Sequence, residues 1–263
     1  MHRILAIFIL LIASACSSTP ALPPRWPEGA TLSLLGEVHD NAVLHAQRTA
    51  LLRRWVEAGA RPAILMEQFD REQQSRIDAL RQRGVKDAEL LIREAGQGSW
   101  QWPFYKPVLE LALQYDLPII AANVSRSDAR RVMVEGLAAA GFDAALPTDI
   151  LSTQARLIEQ SHCGALDTAT AQRMALAQIA RDQFMARQLS AQGQRPAVLL
   201  AGNGHVRRDI GVPRWLGPAA QSQLRVFAWV EAGAEADAPA AYDIRIPVPA
   251  QARPDPCEAF RKR

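Results

Sequence analysis

Five polar side chains follow the ends of four predicted buried strands, and their types are those that bind ligands or transfer protons. Glu37 and His39 follow the first apolar run, Glu67 the second, Asn123 the third and His205 the fourth. In an open parallel sheet, ligands bind beyond the carboxyl ends of the strands, near the point where the strand order reverses. We therefore expect these side chains to converge on one crevice.

Two kinds of chemistry suit this set of side chains. Glu37, His39, Glu67 and His205 are common ligands of a divalent metal, which would activate a bound water. The same four could instead form a metal-free set in which imidazole and carboxylate groups transfer protons. A buried hydrogen-bonded cluster without a ligand is the third alternative. Gly36 is expected to let the chain turn sharply where the first strand ends.

A second candidate site is the aromatic segment 99–105, which carries four aromatic side chains in seven residues. Trp102 and Tyr105 would form part of the wall of a flat apolar ligand site. A tyrosine phenolate can also ligate ferric haem. The alternative is that these rings pack in the core where a helix begins.

The elements that position these residues alternate between strands and helices. Helical patterns separate apolar runs that predict strands over 31–35, 62–66, 117–122, 197–201, 225–230 and 243–246. Such alternation predicts an α/β fold with a mainly parallel sheet and helices on both faces. The helical stretch 71–95 is too long for a simple crossover and is expected to form a lid or subdomain. An insertion is expected over 141–163.

The first residues are typical of an export signal. Residues 1–15 resemble a signal peptide whose apolar stretch is too short to span a bilayer. Small residues before Cys16 resemble a bacterial lipobox, which implies acylation of Cys16 and a membrane anchor, and Ser17 resembles an outer-membrane address. We therefore expect a tether over 16–28 and a single α/β domain over 29–263, at the bacterial outer membrane. The alternative is an ordinary cleaved signal with an incidental cysteine.

The net charge argues against one class of function, and the cysteine content suggests a disulfide. The net charge is only +3, and no basic run is interleaved with aromatic residues, so nucleic-acid binding has little support. If Cys16 is acylated, Cys163 and Cys257 remain as a pair. An oxidising compartment favours a disulfide between them, which would tie the C-terminal tail to the loop before a long helix. Two separate buried thiols are the alternative.

Several motifs together resemble the ChaN-like haem-binding lipoproteins, which belong to a wider group with the Tiki/TraB proteins and the erythromycin esterases. These motifs lie between about residues 32 and 213, which is most of the mature chain. They are Gly36-Glu37-Val38-His39-Asp40-Asn41, Met66-Glu67-Gln68, Trp102-Pro103-Phe104-Tyr105, Ala122-Asn123, Ser161-His162-Cys163-Gly164, Arg181-Asp182 and Gly202-Asn203-Gly204-His205.

The resemblance implies an α/β fold and haem binding at the outer membrane in haem or iron acquisition. It implies that haem lies between two protomers, with a tyrosine on the iron and basic groups near the propionates. In this chain the tyrosine would be Tyr105, and an outer-membrane haem receptor is a possible partner. The other expected haem-binding residues are Trp102, His39, His205 and Asn123, and the basic candidates are Lys106, Arg207 and Arg208.

The same resemblance also implies a competing function, because the Tiki-like and esterase-like relatives look like hydrolases. Glu37, His39, Glu67 and His205 would then be catalytic, with or without a divalent metal. In that case His39 is a general base or metal ligand. A third class, a non-catalytic lipoprotein that engages a receptor, is also open.

Overall fold

Six parallel strands form one sheet in the part of the chain that the computed structural model describes, which is residues 22–234, 238, 240–255 and 257–258. The strands are β1 (Leu32–Glu37), β2 (Ala63–Asp70), β3 (Ile119–Asn123), β4 (Ala197–Gly202), β5 (Leu224–Glu231) and β6 (Ile244–Val248). Their order across the sheet is β3-β2-β4-β1-β5-β6, and every neighbouring pair is parallel. The predicted α/β fold is confirmed. The predicted signal peptide and Cys16 lie outside the described residues.

Helices supply most of the crossovers that parallel neighbours require. They are α1 (Ala42–Glu57), α2 (Gln74–Gln82), α3 (Ala88–Ala95), α4 (Lys106–Gln114), α5 (Arg126–Glu135), α6 (Thr148–Ser161), α7 (Thr168–Ser190), the short α8 (Asn203–Val206) and α9 (Pro218–Ser222). Within the described part of the chain, no helix is both long and apolar enough to cross a membrane.

Both faces of the sheet are covered, as predicted. Successive residues of a strand point to opposite faces, and Leu34 and Leu35 accordingly belong to two different cores. Leu35 packs with α1 and with the helices between β2 and β3, whereas Leu34 packs with Met185 and Leu189 of α7. Strands buried on both faces explain why the apolar runs in the sequence are continuous rather than alternating.

The two long helical segments differ in where they pack. The stretch 71–95 does not form a separate lid, because Ile77, Leu80 and Leu91 are buried in the same core as the strands. The insertion over 141–163 contains α6, whose Ile150 and Ala155 are buried in smaller clusters against α7. Helix α6 therefore lies beside α7 and outside the main sheet core.

The strand order reverses between β1 and β4. The chain leaves β1 for β2 and β3 at one edge, returns to place β4 between β1 and β2, and then adds β5 and β6 at the other edge. Ligands of such sheets bind at the carboxyl ends of the strands beside this reversal. Glu37 ends β1 and Gly202 ends β4, so the predicted site residues lie at this position.

The C-terminal tail is tied to the rest of the fold at two places. Cys163 and Cys257 form a disulfide with their Cα atoms 5.6 Å apart, which confirms the predicted pair. Arg253 donates hydrogen bonds to Asp40 at 2.6 Å and to Glu231 at 2.7 Å. The tail thus connects the end of α6 with the loop that follows β1.

Candidate functional site

Glu37 is the centre of a buried hydrogen-bond network at the end of β1. Its Oε1 accepts hydrogen bonds from Nδ1 of His39 at 2.8 Å, from the hydroxyl of Tyr105 at 2.5 Å and from Nε2 of Gln68 at 3.3 Å. Its Oε2 forms an ion pair with Arg48, and both side chains of this pair are completely buried. A buried carboxylate is stable only when it is paired in this way.

His39 is fixed by this network and faces outward. Because Nδ1 donates to the Glu37 carboxylate, Nε2 is left as the ring nitrogen that can accept a proton or bind a metal. The side chain is 48% exposed, and its ring meets the ring of Trp100 edge-on with 5.0 Å between centroids. A Cβ at Gly202 would lie 3.1 Å from Nε2, so a glycine at this position leaves room for the imidazole.

A second imidazole is held by a second carboxylate on the other side of the crevice. Nδ1 of His205, in α8, donates to Asp182 of α7 at 2.6 Å, and Asp182 also accepts a hydrogen bond from Gln154 at 3.0 Å. Nε2 of His205 lies 3.6 Å from Oε1 of Glu67. The other oxygen of Glu67 accepts the backbone N–H of Gly202 at 2.7 Å. His205 thus lies between two carboxylates.

The charged side chains around His205 shift one another's pKa values. Burial alone would lower the pKa of His205, but the carboxylates of Asp182 and Glu67 outweigh it and raise the pKa. Burial alone would raise the pKa of Glu67, but His205, His39 and the N–H of Gly202 hold the pKa below its usual value. Burial raises the pKa of Asp182. Both shifts act in favour of an imidazolium at His205 beside an ionised Glu67.

Two cavities meet at these imidazoles. The larger has a volume of about 640 Å³, and the smaller has about 380 Å³. His39, His205 and Gln178 line both. The larger cavity has an apolar wall made by Val38, Leu157, Ile158 and Ile210. The smaller cavity is more polar and is lined by Glu67, Asp70, Gln97, Ser99, Trp100, Asn123, Val124, Arg126 and Arg181.

The structure brings five predicted residues to these cavities but not the two predicted aromatic residues, Trp102 and Tyr105; the five are Glu37, His39, Glu67, Asn123 and His205. Tyr105 is fully buried, and its hydroxyl is directed at Glu37. Its ligation of a haem iron would require this hydrogen bond to break, so that role stays a prediction that the placement does not favour. Trp102 packs against Phe69, and its indole N–H donates to a backbone carbonyl at 2.7 Å.

The metal site expected from Glu37, His39, Glu67 and His205 is not formed. Among the residues that the structure describes, no group of three or more His, Cys, Asp or Glu side chains is placed to hold a metal ion. The physical reason is that the carboxylate of Glu37 is directed into the interior toward Arg48. The four residues contribute instead to two separate carboxylate–imidazole pairs.

The basic residues expected near a propionate are also placed differently from the prediction. Lys106 forms an ion pair with Glu89, Arg207 with Asp209, and Arg208 with Asp243. None of the three lines either cavity. The guanidinium groups that do so are those of Arg126 and Arg181.

Two important pairings, Arg48 with Glu37 and Asp182 with His205, were not predicted, and one of them leaves a trace in the sequence. Arg48 lies on the buried face of α1, between Leu44 and Leu52. An arginine within an apolar helical stripe requires a buried acid, and this rule points to Glu37. Asp182 belongs to the Arg181-Asp182 motif, but nothing in the local sequence indicates its pairing with His205, which lies in a distant segment.

The comparisons with known proteins agree with this fold. The family described as haem-binding uptake, Tiki superfamily, ChaN matches residues 28–216. The chain is also similar to the solved structure of ChaN of Campylobacter jejuni with cofacially bound haem. The identity is 19%, the TM-score is 0.65, and the match covers 80% of this chain and 84% of that chain.

Two further solved structures are more distant. A mutant of the erythromycin esterase EreC in its open conformation has 16% identity and a TM-score of 0.46, over 78% of this chain and 71% of that chain. The type III effector HopBA1 has 14% identity and a TM-score of 0.46, over 84% of this chain and 88% of that chain. No curated protein matches the chain. Because the family match covers well over half of the residues, the chain belongs to the ChaN family of haem-binding uptake proteins in the Tiki superfamily.

Proposed function

We propose that this protein binds haem in the crevice at the carboxyl ends of β1, β2 and β4, with Nε2 of His39 as the iron ligand. The observation that carries the proposal is the placement of His39. Its Nδ1 is committed to Glu37 at 2.8 Å, and its side chain lines both cavities where they meet. A carboxylate on the far ring nitrogen fixes the tautomer of a ligating histidine and raises its basicity.

The shape and lining of the crevice suit a flat, mainly apolar ligand with a polar edge. The two cavities lie within the range of sizes that ligand pockets have. Leu157, Ile158 and Ile210 can cover an apolar macrocycle, and Trp100 adds an aromatic surface beside His39. Haem, when bound, would supply iron with its redox and ligand-binding chemistry. The residues of this chain would hold it and exclude water from one face.

Titration of the full chain in mild detergent with haemin, followed by visible absorption, tests this proposal. A saturable shift at fixed stoichiometry is expected, together with the electron paramagnetic resonance signature of imidazole ligation. His39→Ala should abolish that signature and weaken binding by at least about tenfold, since it removes a direct bond to the ligand. His162→Ala is the matched control, because His162 follows α6 and lines neither cavity; its spectrum should equal that of the wild type.

Three results would contradict parts of the proposal. Binding that never saturates would exclude a haem site. An unchanged spectrum for His39→Ala would exclude His39 as the ligand. If Tyr105→Phe then removed the ligand signature, the tyrosine expected from the sequence would be the ligand after all.

We also propose that Cys16 is acylated and anchors the protein to the outer membrane, where it takes part in iron acquisition as a haem-bridged homodimer, with an outer-membrane haem receptor as partner. The sequence around Cys16 supports the anchor, and acyl chains at one cysteine suffice for stable attachment. Fractionation of cells should find the full chain with the outer membrane. A Cys16→Ser variant should leave that fraction, and its retention there would refute the lipid anchor.

Hydrolysis is the second candidate function, and a separate observation favours it. Two imidazoles, each fixed by a carboxylate, line the same crevice at its two walls, and Glu67 lies beside the second. Nε2 of His39 would take a proton from water, and protonated His205 would donate one to a leaving group. The side chains needed for proton transfer are therefore present without any metal ion.

A further inference from the structure

Two arginines, the exposed Arg126 and the half-buried Arg181, line the smaller cavity. Arg126 is the first residue of α5, and Arg181 lies on α7 one turn from Gln178, which lines the same cavity. Neither guanidinium forms a hydrogen bond or an ion pair with any residue in the described part of the chain. A guanidinium presents several N–H donors in a planar fork that matches a carboxylate.

The position of Arg126 is unfavourable for the helix that carries it. The N-terminus of a helix has a partial positive charge, so a cation in the first turn is destabilising and an anion is stabilising. Asp128 in the same turn forms an ion pair with Arg71 and does not pair with Arg126. The helix terminus and Arg126 therefore both favour an anion at the mouth of the smaller cavity.

The acids that line this cavity, Glu67 and Asp70, form no ion pair with Arg126 or Arg181 among the described residues. Glu67 is already engaged by Gly202 and lies beside His205. Asp70 accepts a hydrogen bond from Gln97; burial raises its pKa, and the charges of Arg181 and Arg126 oppose that shift from a distance. His39 is the remaining titratable group that lines the cavity. The charge of His205 is already paired with Asp182 at 2.6 Å, whereas the two guanidinium groups at the cavity wall have no acid within ion-pair distance in the described part of the chain.

We propose that Arg126 and Arg181 form a carboxylate-binding site that receives the acidic group of the ligand in this crevice. The identification of that group as a haem propionate rests on the proposed function. A small free carboxylate is the other source of the same chemistry. Arg126 and Arg181 thus take the role that the sequence predicts for three other basic residues, Lys106, Arg207 and Arg208. The charges of those three are already paired with acids of the chain.

The test compares haemin with iron protoporphyrin dimethyl ester, which lacks the free carboxylates. Both are titrated into the full chain in mild detergent, for the wild type, Arg126→Gln, Arg181→Gln and the double variant. Haemin affinity should fall by about tenfold in each single variant and by about 100-fold in the double variant. Arg130→Gln is the matched control, because Arg130 is an exposed residue of the same helix and lines neither of the two cavities; its haemin affinity should equal that of the wild type.

The ester separates recognition of the carboxylate from a general effect on the fold. The affinity for the ester should be the same for the wild type and the double variant, because the ester has no free carboxylate for the arginines to bind. An equal loss for haemin and for the ester would overturn the proposal, since the arginines would then act on the macrocycle or on the fold. An unchanged haemin affinity in the double variant would also overturn it, while the haem-binding function itself would stand.

A calorimetric titration with succinate keeps the proposal testable if haemin does not bind. In that case the proposed function fails, and the arginine pair is examined by itself. Saturable succinate binding to the wild type and to Arg130→Gln, but not to the double variant, would support a site for small carboxylates. The absence of succinate binding to the wild type would overturn the carboxylate site as well.

Discussion

Replacing Arg48 by methionine should lower the free energy of unfolding by about 3–5 kcal/mol. Arg48 is completely buried, and its partner Glu37 is also completely buried. Methionine fills much of the same space but cannot compensate the carboxylate, so a negative charge would remain in the interior. Burial lowers the pKa of Arg48 to about 10, so the guanidinium is still charged at neutral pH.

Urea unfolding followed by circular dichroism measures this loss, and two further variants interpret it. Arg53→Met, on the same helix and without a side-chain hydrogen bond or ion pair in the described part of the chain, should change stability by no more than about 0.5 kcal/mol. The double variant Glu37→Gln with Arg48→Met should lose less than Arg48→Met alone, because no buried charge is left uncompensated. A loss below about 1 kcal/mol for Arg48→Met would show that Glu37 does not depend on this ion pair.

The general position of the site follows from the sequence because a parallel sheet brings the carboxyl ends of its strands together. Glu67 and Asn123 follow apolar runs that are far apart in the chain, and the structure places both on the smaller cavity. The fold was predictable for the same reason, since continuous apolar runs separated by helical patterns specify buried parallel strands.

Side-chain direction could not be predicted in the same way. In the segment 99–105 the sequence favours Trp102 and Tyr105, whereas Trp100 is the ring that lines a cavity. Part of this segment, Trp102–Phe104, is a single 3-10 turn, and such a short turn has no periodicity from which an inward or outward face can be read. Tyr105 turns inward because Glu37 needs a hydrogen-bond donor there.

A glycine is needed at position 36, as the sequence predicts, but the predicted reason for it is wrong. The sequence suggests a sharp turn, but Gly36 continues β1 and pairs with its neighbours on both sides. A Cβ at this position would lie 2.6 Å from Cγ2 of Val206. Gly36 therefore allows α8, which carries His205, to approach β1 closely. Such a contact between distant segments leaves no pattern in the local sequence.

Replacing Glu67 by glutamine should separate the two candidate functions. Glutamine retains a carbonyl oxygen that can accept the N–H of Gly202, which Glu67 accepts at 2.7 Å, but it removes the negative charge beside His205. Because that charge helps to raise the pKa of His205, the pKa should fall in the variant. Proton NMR titration of the imidazole measures the change. Glu57→Gln, an exposed substitution on α1, is the control and should leave the pKa of His205 unchanged.

If the crevice hydrolyses an ester or amide, Glu67→Gln should reduce turnover by about 10²- to 10⁴-fold, which is the usual contribution of positioned acid–base groups. Activity that needs protonated His205 falls as pH rises through the pKa of this residue, so in the variant that fall should shift to lower pH. Haem affinity should hardly change, since His39 and its carboxylate are untouched. Lost turnover with retained haem binding would show that the two activities use different residues of one crevice. Lost haem binding in Glu67→Gln would instead make Glu67 part of the haem site, and unchanged turnover would refute its role in proton transfer.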